Sequence, residues 1–229
     1  MRASIVIRVK NEAENLHKLF PILKDQTSQD FEIIIVNDSS VDNSEQIVFN
    51  YFPKNRVKIV NVPKNKFTYP YASNLGAEKS SGEFLVYLSA HSFPVSKTWL
   101  SDGLKNFENQ KVAGVFAYPL PHEDTNLTEK ILYNQAIKFY LPKFKIYKKY
   151  RSGVLGTTNA VIRKSLWNKH KFNENWTRGG EDAEWATYWM NQGYFIIQDA
   201  KFRAYHSHHL NLIGLIKQYL YWQSLSSQR

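Results

Sequence analysis
The first half of the chain alternates between two hydrophobic periods. Ser4 to Val9 is a short apolar run that reads as a buried strand, and Leu16, Leu19, Phe20 and Leu23 follow at the spacing of one helix face, ending near Lys24. Phe31 to Val36 predicts a second strand, stopped by Asn37-Asp38-Ser39-Ser40. Asp42 with Glu45 three residues on predicts a capped helix carrying Ile47, Val48, Tyr51 and Phe52. Val57 to Val62 predicts a third strand, the aromatic loop Pro63 to Pro70 leads to a helix around Ala72 to Lys79, and Ser81-Gly82 turns the chain into a strand over Phe84 to Leu88. A helix over Lys97 to Asn109, with Trp99, Leu100, Leu104 and Phe107 inward, precedes a strand over Val112 to Ala117. Such alternation predicts an α/β fold: a mostly parallel central sheet flanked by helices, with ligands bound beyond the carboxyl ends of the strands, where Asp38 and His91 lie.

The second half is less regular. It predicts a helix from Leu127 to Tyr140, a basic and aromatic segment from Lys143 to Arg151, a strand near Val154 to Ile162, and a helix from Glu181 to Gln192. Short strands around Phe195 to Ile197 and Phe202 to Tyr205 precede an amphipathic tail helix from Leu210 to Leu225. No internal repeat or low-complexity linker interrupts the chain, which reads as one core domain with a C-terminal helical extension.

Composition narrows the chemistry. The apolar share of 43% in 229 residues is enough for a sizeable core, and 30 basic against 20 acidic residues give a net charge of +10. That excess favours a polyanionic partner: nucleic acid, an anionic membrane surface, or phosphate groups on a substrate. With no cysteine, any metal must sit on His, Asp, Glu or backbone oxygen, and a cytoplasmic location is the expectation. Arg8 and Lys10 interrupt the first apolar run, so no signal peptide is expected, and no apolar stretch reaches the roughly 18 residues of a membrane span.

Beyond the strand Phe84 to Leu88 the chain reads Ser89-Ala90-His91-Ser92, and a second cluster, His206-Ser207-His208-His209, follows far downstream. Imidazoles at a strand end, with the acidic pair Glu181-Asp182, are donors from which an open α/β sheet can build a metal or phosphate site, although a lone histidine there is as readily a loop residue. Strand alternation places His206 and His208 on one face and His209 on the other.

Four segments in order resemble the family 2 glycosyltransferases of the GT-A (Rossmann-like) fold, over Ser4 to about His209. Ser4-Ile-Val-Ile-Arg-Val-Lys-Asn-Glu12 is similar to the family's first strand and nucleotide loop, and Val36-Asn-Asp-Ser-Ser-Val-Asp42 to its Val-Asp-Asp-Gly-Ser-x-Asp turn. Ala72-Ser-Asn-Leu-Gly76 and Gly82-Glu-Phe-Leu-Val-Tyr-Leu-Ser-Ala-His91 resemble its Arg-Asn-x-Gly and Gly-Glu-x-x-x-x-Leu-Asp-x-Asp segments, and Gly179-Gly180-Glu181-Asp182 resembles its Glu-Asp motif. Both metal-motif aspartates are replaced, by Ser89 and His91, a form resembling a bacterial rhamnosyltransferase-like subset.

The resemblance implies a GT-A domain over 1–209, with a nucleotide-sugar half (1–117) and an acceptor half (118–209), followed by a C-terminal amphipathic helix (210–229). It implies transfer of a hexosyl or deoxyhexosyl unit, with inversion, from a nucleoside-diphosphate sugar of UDP or dTDP type to a glycan or lipid-linked acceptor, as in polysaccharide biosynthesis. Donor contacts fall to Arg8, Asn11, Glu12, Asp38, Asn74, Ser89 and His91, with Asp38 placed to accept a pyrimidine imide N–H or to cap its own turn. Asp42 is read as a helix cap. Asp182 is the expected base, its alternative role being a helix cap, and Trp176, Arg178, Glu181 and Trp185 are assigned to the acceptor side. His91 with His206 or His208 is expected to bind a divalent cation, manganese before magnesium, or else to contact the diphosphate directly.

Competing readings are a catalytically inactive sugar-nucleotide or glycan-binding module, favoured by loss of the aspartates, and a nucleotidyltransferase, disfavoured by the lack of a Gly-rich triphosphate loop. Nucleic acid is not an expected partner, because no concentrated basic stripe accompanies the charge. The tail helix packs on the domain or a second subunit, or lies on the inner face of a membrane as a peripheral contact. Oligomeric state is left open.

Overall fold
The structure is a computed structural model that describes residues 2–135, 142–149, 153–208 and 210–226. The chain runs β1 (Ala3–Val9), α1 (Ala13–Lys24), β2 (Phe31–Asn37), α2 (Ser44–Ile47), β3 (Val57–Asn61), α3 (Tyr69–Lys79), β4 (Phe84–Ser89), β5 (Phe93–Pro94), α4 (Trp99–Lys105) and β6 (Val112–Phe116). It continues as α5 (Leu127–Gln135), β7 (Phe144–Tyr147), β8 (Asn159–Arg163), α6 (Lys164–Lys169), α7 (Glu181–Asn191), β9 (Phe195–Asp199), β10 (Ala204–Tyr205) and α8 (Leu212–Ser226). The main sheet has the order β3-β2-β1-β4-β8-β6-β9-β7. β8 runs antiparallel to both β4 and β6, β7 runs antiparallel to β9, and the remaining neighbours pair in parallel.

Strand alternation divides the core into two layers. Ile5, Ile7, Ile33 and Ile35 pack on one face against Leu16, Leu19, Phe20 and Leu23 of α1. Val6, Ile34 and Val36 pack on the other face, in the layer that also holds Ala72, Trp167, Trp185 and Trp189. On this second face α3 lies almost on the sheet. A Cβ at Gly76 would sit 2.4 Å from Val6 Cγ1 and 2.9 Å from Val36 Cγ2.

Several predicted elements are shorter or shifted. The helix expected after Asp42 is the four-residue α2 followed by a 3-10 turn at Val48–Asn50. Glu45 makes no capping box, because its carboxylate accepts from Asn37 Nδ2 at 3.0 Å. The helix expected over 97–109 splits into α4 and a 3-10 turn at Asn106–Glu108, and the residues expected inward are all buried. β8 begins only at Asn159, α6 was not foreseen, and the strand expected over Phe202 to Tyr205 shortens to Ala204–Tyr205, with Phe202 ending a 3-10 turn. The last residues of the helix expected over 127–140 lie outside the described residues, as do Tyr150, Arg151 and His209.

Two buried polar clusters fix helices to this frame. Asn74 of α3 donates to the Phe172 carbonyl and to Glu174 Oε1, both at 2.9 Å, while its Oδ1 accepts from Trp167 Nε1 at 3.0 Å and from Phe172 N at 3.2 Å. Glu32 of β2 accepts from Ser4 Oγ at 2.7 Å and Ser81 Oγ at 2.6 Å, and pairs with Lys58 at 2.9 Å. Burial opposes ionisation of Glu32, but the hydrogen bonds from Ser81, Lys58 and Ser4 outweigh it and hold the carboxyl at about 2, below its ordinary 4.5.

The edge strand β7 pairs with β9 and, among the described residues, with no other strand. It exposes Phe144 and Ile146, and Lys143, Lys145, Lys148 and Lys149 lie in and around it.

Truncating Asn74→Ala leaves the Trp167 indole and the Phe172 amide without their acceptor, for an expected loss of about 2–4 kcal/mol in a denaturant titration. A depressed carboxyl stabilises the fold fully above its unfolded value and less as pH falls through its folded value. Stability contributed by Glu32 is therefore expected to fade between pH 4.5 and about 2. Glu32→Gln should flatten that part of the stability-against-pH curve.

Candidate active site
The carboxyl ends of β1, β2 and β4 gather the charged residues of the cleft. Parallel register sets Arg8 beside Ser89 and Val9 beside Asn37. Arg8 Nη1 donates to Ser73 Oγ at 2.8 Å, Nη2 reaches Thr157 Oγ1 at 3.4 Å, and the guanidinium lies 5.3 Å from the centre of the Tyr69 ring. Lys10 Nζ donates to Asp38 Oδ2 at 2.7 Å, so Asp38, buried at the end of β2, meets an ammonium that is itself largely exposed.

The loops after β1 and β2 interlock. Asn11, at φ 55°, receives Val41 N on its side-chain oxygen and donates its own amide to Ser40 Oγ. Asp42 accepts from Ala13 N, the first amide of α1, and from Ser44 N, each at 3.0 Å. It therefore serves the starts of two helices, and against the opposing effect of burial the Ser44 hydroxyl, with these two amides, holds its carboxyl below the ordinary range.

β5 and β10 explain how distant histidines meet. Their antiparallel register pairs Phe93 with Tyr205, which makes Ser92 and His206 the next facing positions, and Ser92 Oγ lies 3.0 Å from His206 Nδ1. His206 Nε2 is 3.0 Å from His208 Nε2. The His91 ring stacks on His206 with centroids 4.8 Å apart, and its Nδ1 lies 3.1 Å from Glu12 Oε1. One ring nitrogen from each of His91, His206 and His208 falls within 4.8 Å of the others. Burial, reinforced by the neighbouring His208, His91 and His122, pushes His206 down to about 2 and keeps its ring neutral. Nitrogens sharing one tetrahedral ion at 2.0–2.1 Å would lie about 3.3 Å apart, so a divalent cation would draw the widest-set nitrogens of this group together by up to about 1.5 Å.

At the start of α7, Gly179 and Gly180, at φ 104° and 95°, make a left-handed turn that disfavours side chains. Asp182 follows in the first turn, accepting from Thr157 N at 3.0 Å and from Ala183 N at 2.7 Å. Thr157 thus touches both Arg8 and Asp182, and links the β1–β4 end of the cleft to α7. Glu181 is buried, and desolvation with the adjacent Asp182 charge raises its carboxyl to about 8, against the opposing pull of Arg8.

The remaining residues separate. Asn74, assigned to the donor from sequence, is buried with both ends of its amide engaged by protein groups. Trp185, assigned to the acceptor, is fully buried and donates its indole N–H to the His170 carbonyl at 2.7 Å, so its size serves the core. Glu181 is likewise buried and offers an acceptor no open surface. Trp176 is half-buried and Arg178 exposed, the latter 5.8 Å from the centre of the Tyr221 ring of α8, whose hydroxyl donates to the Arg178 carbonyl. Ser73, Thr157, Ser92 and His122 were not singled out from sequence. His122 Nε2, 3.1 Å from the His91 carbonyl, becomes recognisable only once the strands are paired.

Comparison with known proteins agrees with this architecture. The Campylobacter jejuni GalNAc(5)-diNAcBac-PP-undecaprenol beta-1,3-glucosyltransferase is 24% identical over 204 residues, 85% of this chain and 62% of its own length. The chain thus spans less than two thirds of that relative. Among solved structures, the mannosyltransferase PcManGT of Pyrobaculum calidifontis, in complex with GDP-Man and Mn2+, superposes with a TM-score of 0.68 at 18% identity, covering 90% of this chain and 56% of that one. S. aureus TarS 1-349 in complex with UDP-GlcNAc gives 0.66 at 17%, covering 92% and 60%. Both likenesses establish a shared GT-A-like fold. Residues 4–170 match the family described as Glycosyl transferase family 2, and with most of the chain inside that match, the protein belongs to it.

Proposed function
We propose that the chain transfers a hexosyl or deoxyhexosyl unit from a nucleoside-diphosphate sugar to a hydroxyl of a glycan or lipid-linked acceptor, with inversion and with Asp182 as base, in the assembly of a polysaccharide. The observation that carries this reading is the contact chain from Ser89 and Arg8 through Thr157 to Asp182, which ties a cation at the strand ends to a carboxylate at the start of α7.

In this reading Asp182 takes the proton of the acceptor hydroxyl as its oxygen bonds to the anomeric carbon, and the bond from that carbon to the diphosphate breaks with its electron pair leaving on the phosphate oxygen. Attack from the face opposite the leaving group inverts the centre. Thr157 N–H and Ala183 N–H hold the carboxylate in place. Burial and the adjacent Asp182 charge raise the Glu181 carboxyl, so the two side chains titrate as a pair. Arg8 supplies a fixed cation toward the developing phosphate charge. Asp38 would accept the imide N–H of a uracil or thymine, as in a UDP or dTDP donor, with Lys10 alongside. Asn11 orders the loop there, and Ser89 lines the floor.

His91, His206 and His208 would hold a divalent cation, manganese before magnesium on donor type, which neutralises diphosphate charge when bound. A rhamnosyl donor remains part of this proposal, resting on Ser89-Ala90-His91 alone. Trp176 and Arg178 stand at the proposed acceptor side. The division into nucleotide-sugar and acceptor halves is a functional one, since a single sheet runs through both.

None of the described helices is long and apolar enough to cross a membrane. α8 nevertheless exposes Leu212, Ile213, Ile216 and Leu220 on a chain of net charge +10, which supports a peripheral position on an anionic inner leaflet in a cytoplasmic setting.

With a nucleotide sugar that the wild type turns over, Asp182→Asn is expected to lower nucleotide release by about 10²–10⁴-fold while nucleotide affinity stays within a few-fold. Equal release by both proteins would remove Asp182 as base; no release by the wild type across UDP, dTDP and GDP sugars would favour a binding module. Flotation with anionic vesicles should carry the wild type and lose Ile213→Asp/Ile216→Asp, and equal flotation of both would remove the membrane role of α8.

A further inference from the structure
Glu12 is misplaced for the task its position suggests. It stands immediately before α1, where a side-chain oxygen normally caps the first amides, yet it makes no capping bond. Asp42 caps Ala13 instead, which leaves the Glu12 carboxylate free to turn across the cleft. There Oε1 meets His91 Nδ1 at 3.1 Å and Oε2 accepts from Asn15 Nδ2 at 2.6 Å, so both oxygens have protein donors before any nucleotide arrives. The Glu12 amide is also taken, by Ser44 Oγ at 2.8 Å.

The two stacked imidazoles share one pattern. His91 directs Nδ1 to the Glu12 carboxylate and His206 directs Nδ1 to the Ser92 hydroxyl, so the ligand-side nitrogen of each is Nε2, which lies 3.3 Å from Ser89 Oγ in His91 and 3.0 Å from His208 Nε2 in His206. Outer partners of this kind fix the tautomer and orientation of metal-binding histidines. His208, edge-on to both rings, adds a third nitrogen, and His122 holds the backbone of His91. Three imidazole nitrogens offer magnesium, which demands oxygen, little; they suit ions toward the cobalt and zinc end of the first transition row.

We propose that Glu12 is a positioning residue, the outer carboxylate of a three-imidazole site built by His91, His206 and His208, and that this site selects cobalt- or zinc-like ions over magnesium. The inference rests on the metal reading of the three histidines given above but not on sugar transfer. It takes Glu12 out of the donor-contacting set and makes the Asn11–Ala13 corner part of the metal site.

The test is a cobalt(II) titration of the chelator-stripped full chain without any sugar nucleotide, followed by visible absorption. One cobalt per chain is expected, with a nitrogen-ligand band that zinc abolishes and that a ~1,000-fold excess of magnesium leaves standing. Glu12→Ala should weaken cobalt affinity about 10- to 100-fold, Glu12→Gln should recover part of it because the amide oxygen still accepts from His91, and His206→Ala should remove the band. Asp182→Asn should bind cobalt as the wild type does, so failure of sugar transfer and failure of this site are read separately. Absence of a band in the wild type, or its loss to equimolar magnesium, overturns the site. Cobalt affinity of both Glu12 variants within twofold of wild type overturns the role of Glu12.

Discussion
The Arg8 guanidinium is the fixed charge around which the cleft is organised. It is carried by the central parallel strand, bound to Ser73 of α3 and to Thr157 before β8, and lies close enough to Glu181 to oppose its rise. A cation tied in this way has given up rotamer freedom during folding, so little reorganisation would be left in the proposed reaction when phosphate charge develops. Thr157 extends the arrangement, because its hydroxyl serves Arg8 while its amide serves Asp182. Misplacing β8 by one residue would exchange which groups face the cleft and break both contacts.

The other wall depends on a different economy of hydrogen bonds. Asp42 serves the starts of both α1 and α2, and the interlock of Asn11 with Ser40 and Val41 holds the loops after β1 and β2 as one body. With those amides satisfied, polar side chains between the loops are free to face the histidines. The short β5–β10 ladder supplies the remaining geometry, and a two-residue register is enough to bring Ser92 beside His206 from 114 positions away along the chain.

Much of the frame was legible in sequence because hydrophobic period reports burial directly. The α1 face of Leu16, Leu19, Phe20 and Leu23 and the runs of β1, β2 and β4 lie where the pattern places them. Boundaries failed where polar tertiary contacts decide them, as at Glu45, whose carboxylate is drawn to Asn37 instead of closing a capping box. In the site, residue type pointed to Asp182 and the histidines, but chemistry alone does not show which polar groups are already engaged. Asn74 and Trp185 carry groups suited to ligands and spend them inside the protein, whereas Thr157 and Ser92 look ordinary in sequence and acquire roles only through pairing of strands.

The rim of β7, which has no second partner strand among the described residues, bears on how the sheet edge meets other chains. With the outward Phe144 and Ile146 such an edge is a template that another extended chain would ordinarily annex. Lysines at 143, 145, 148 and 149 make that annexation self-limiting, because two such rims brought together confront ammonium with ammonium before any ladder can close. The same charges that give the chain its basic character thus guard the growing end of the sheet against fibre-like association.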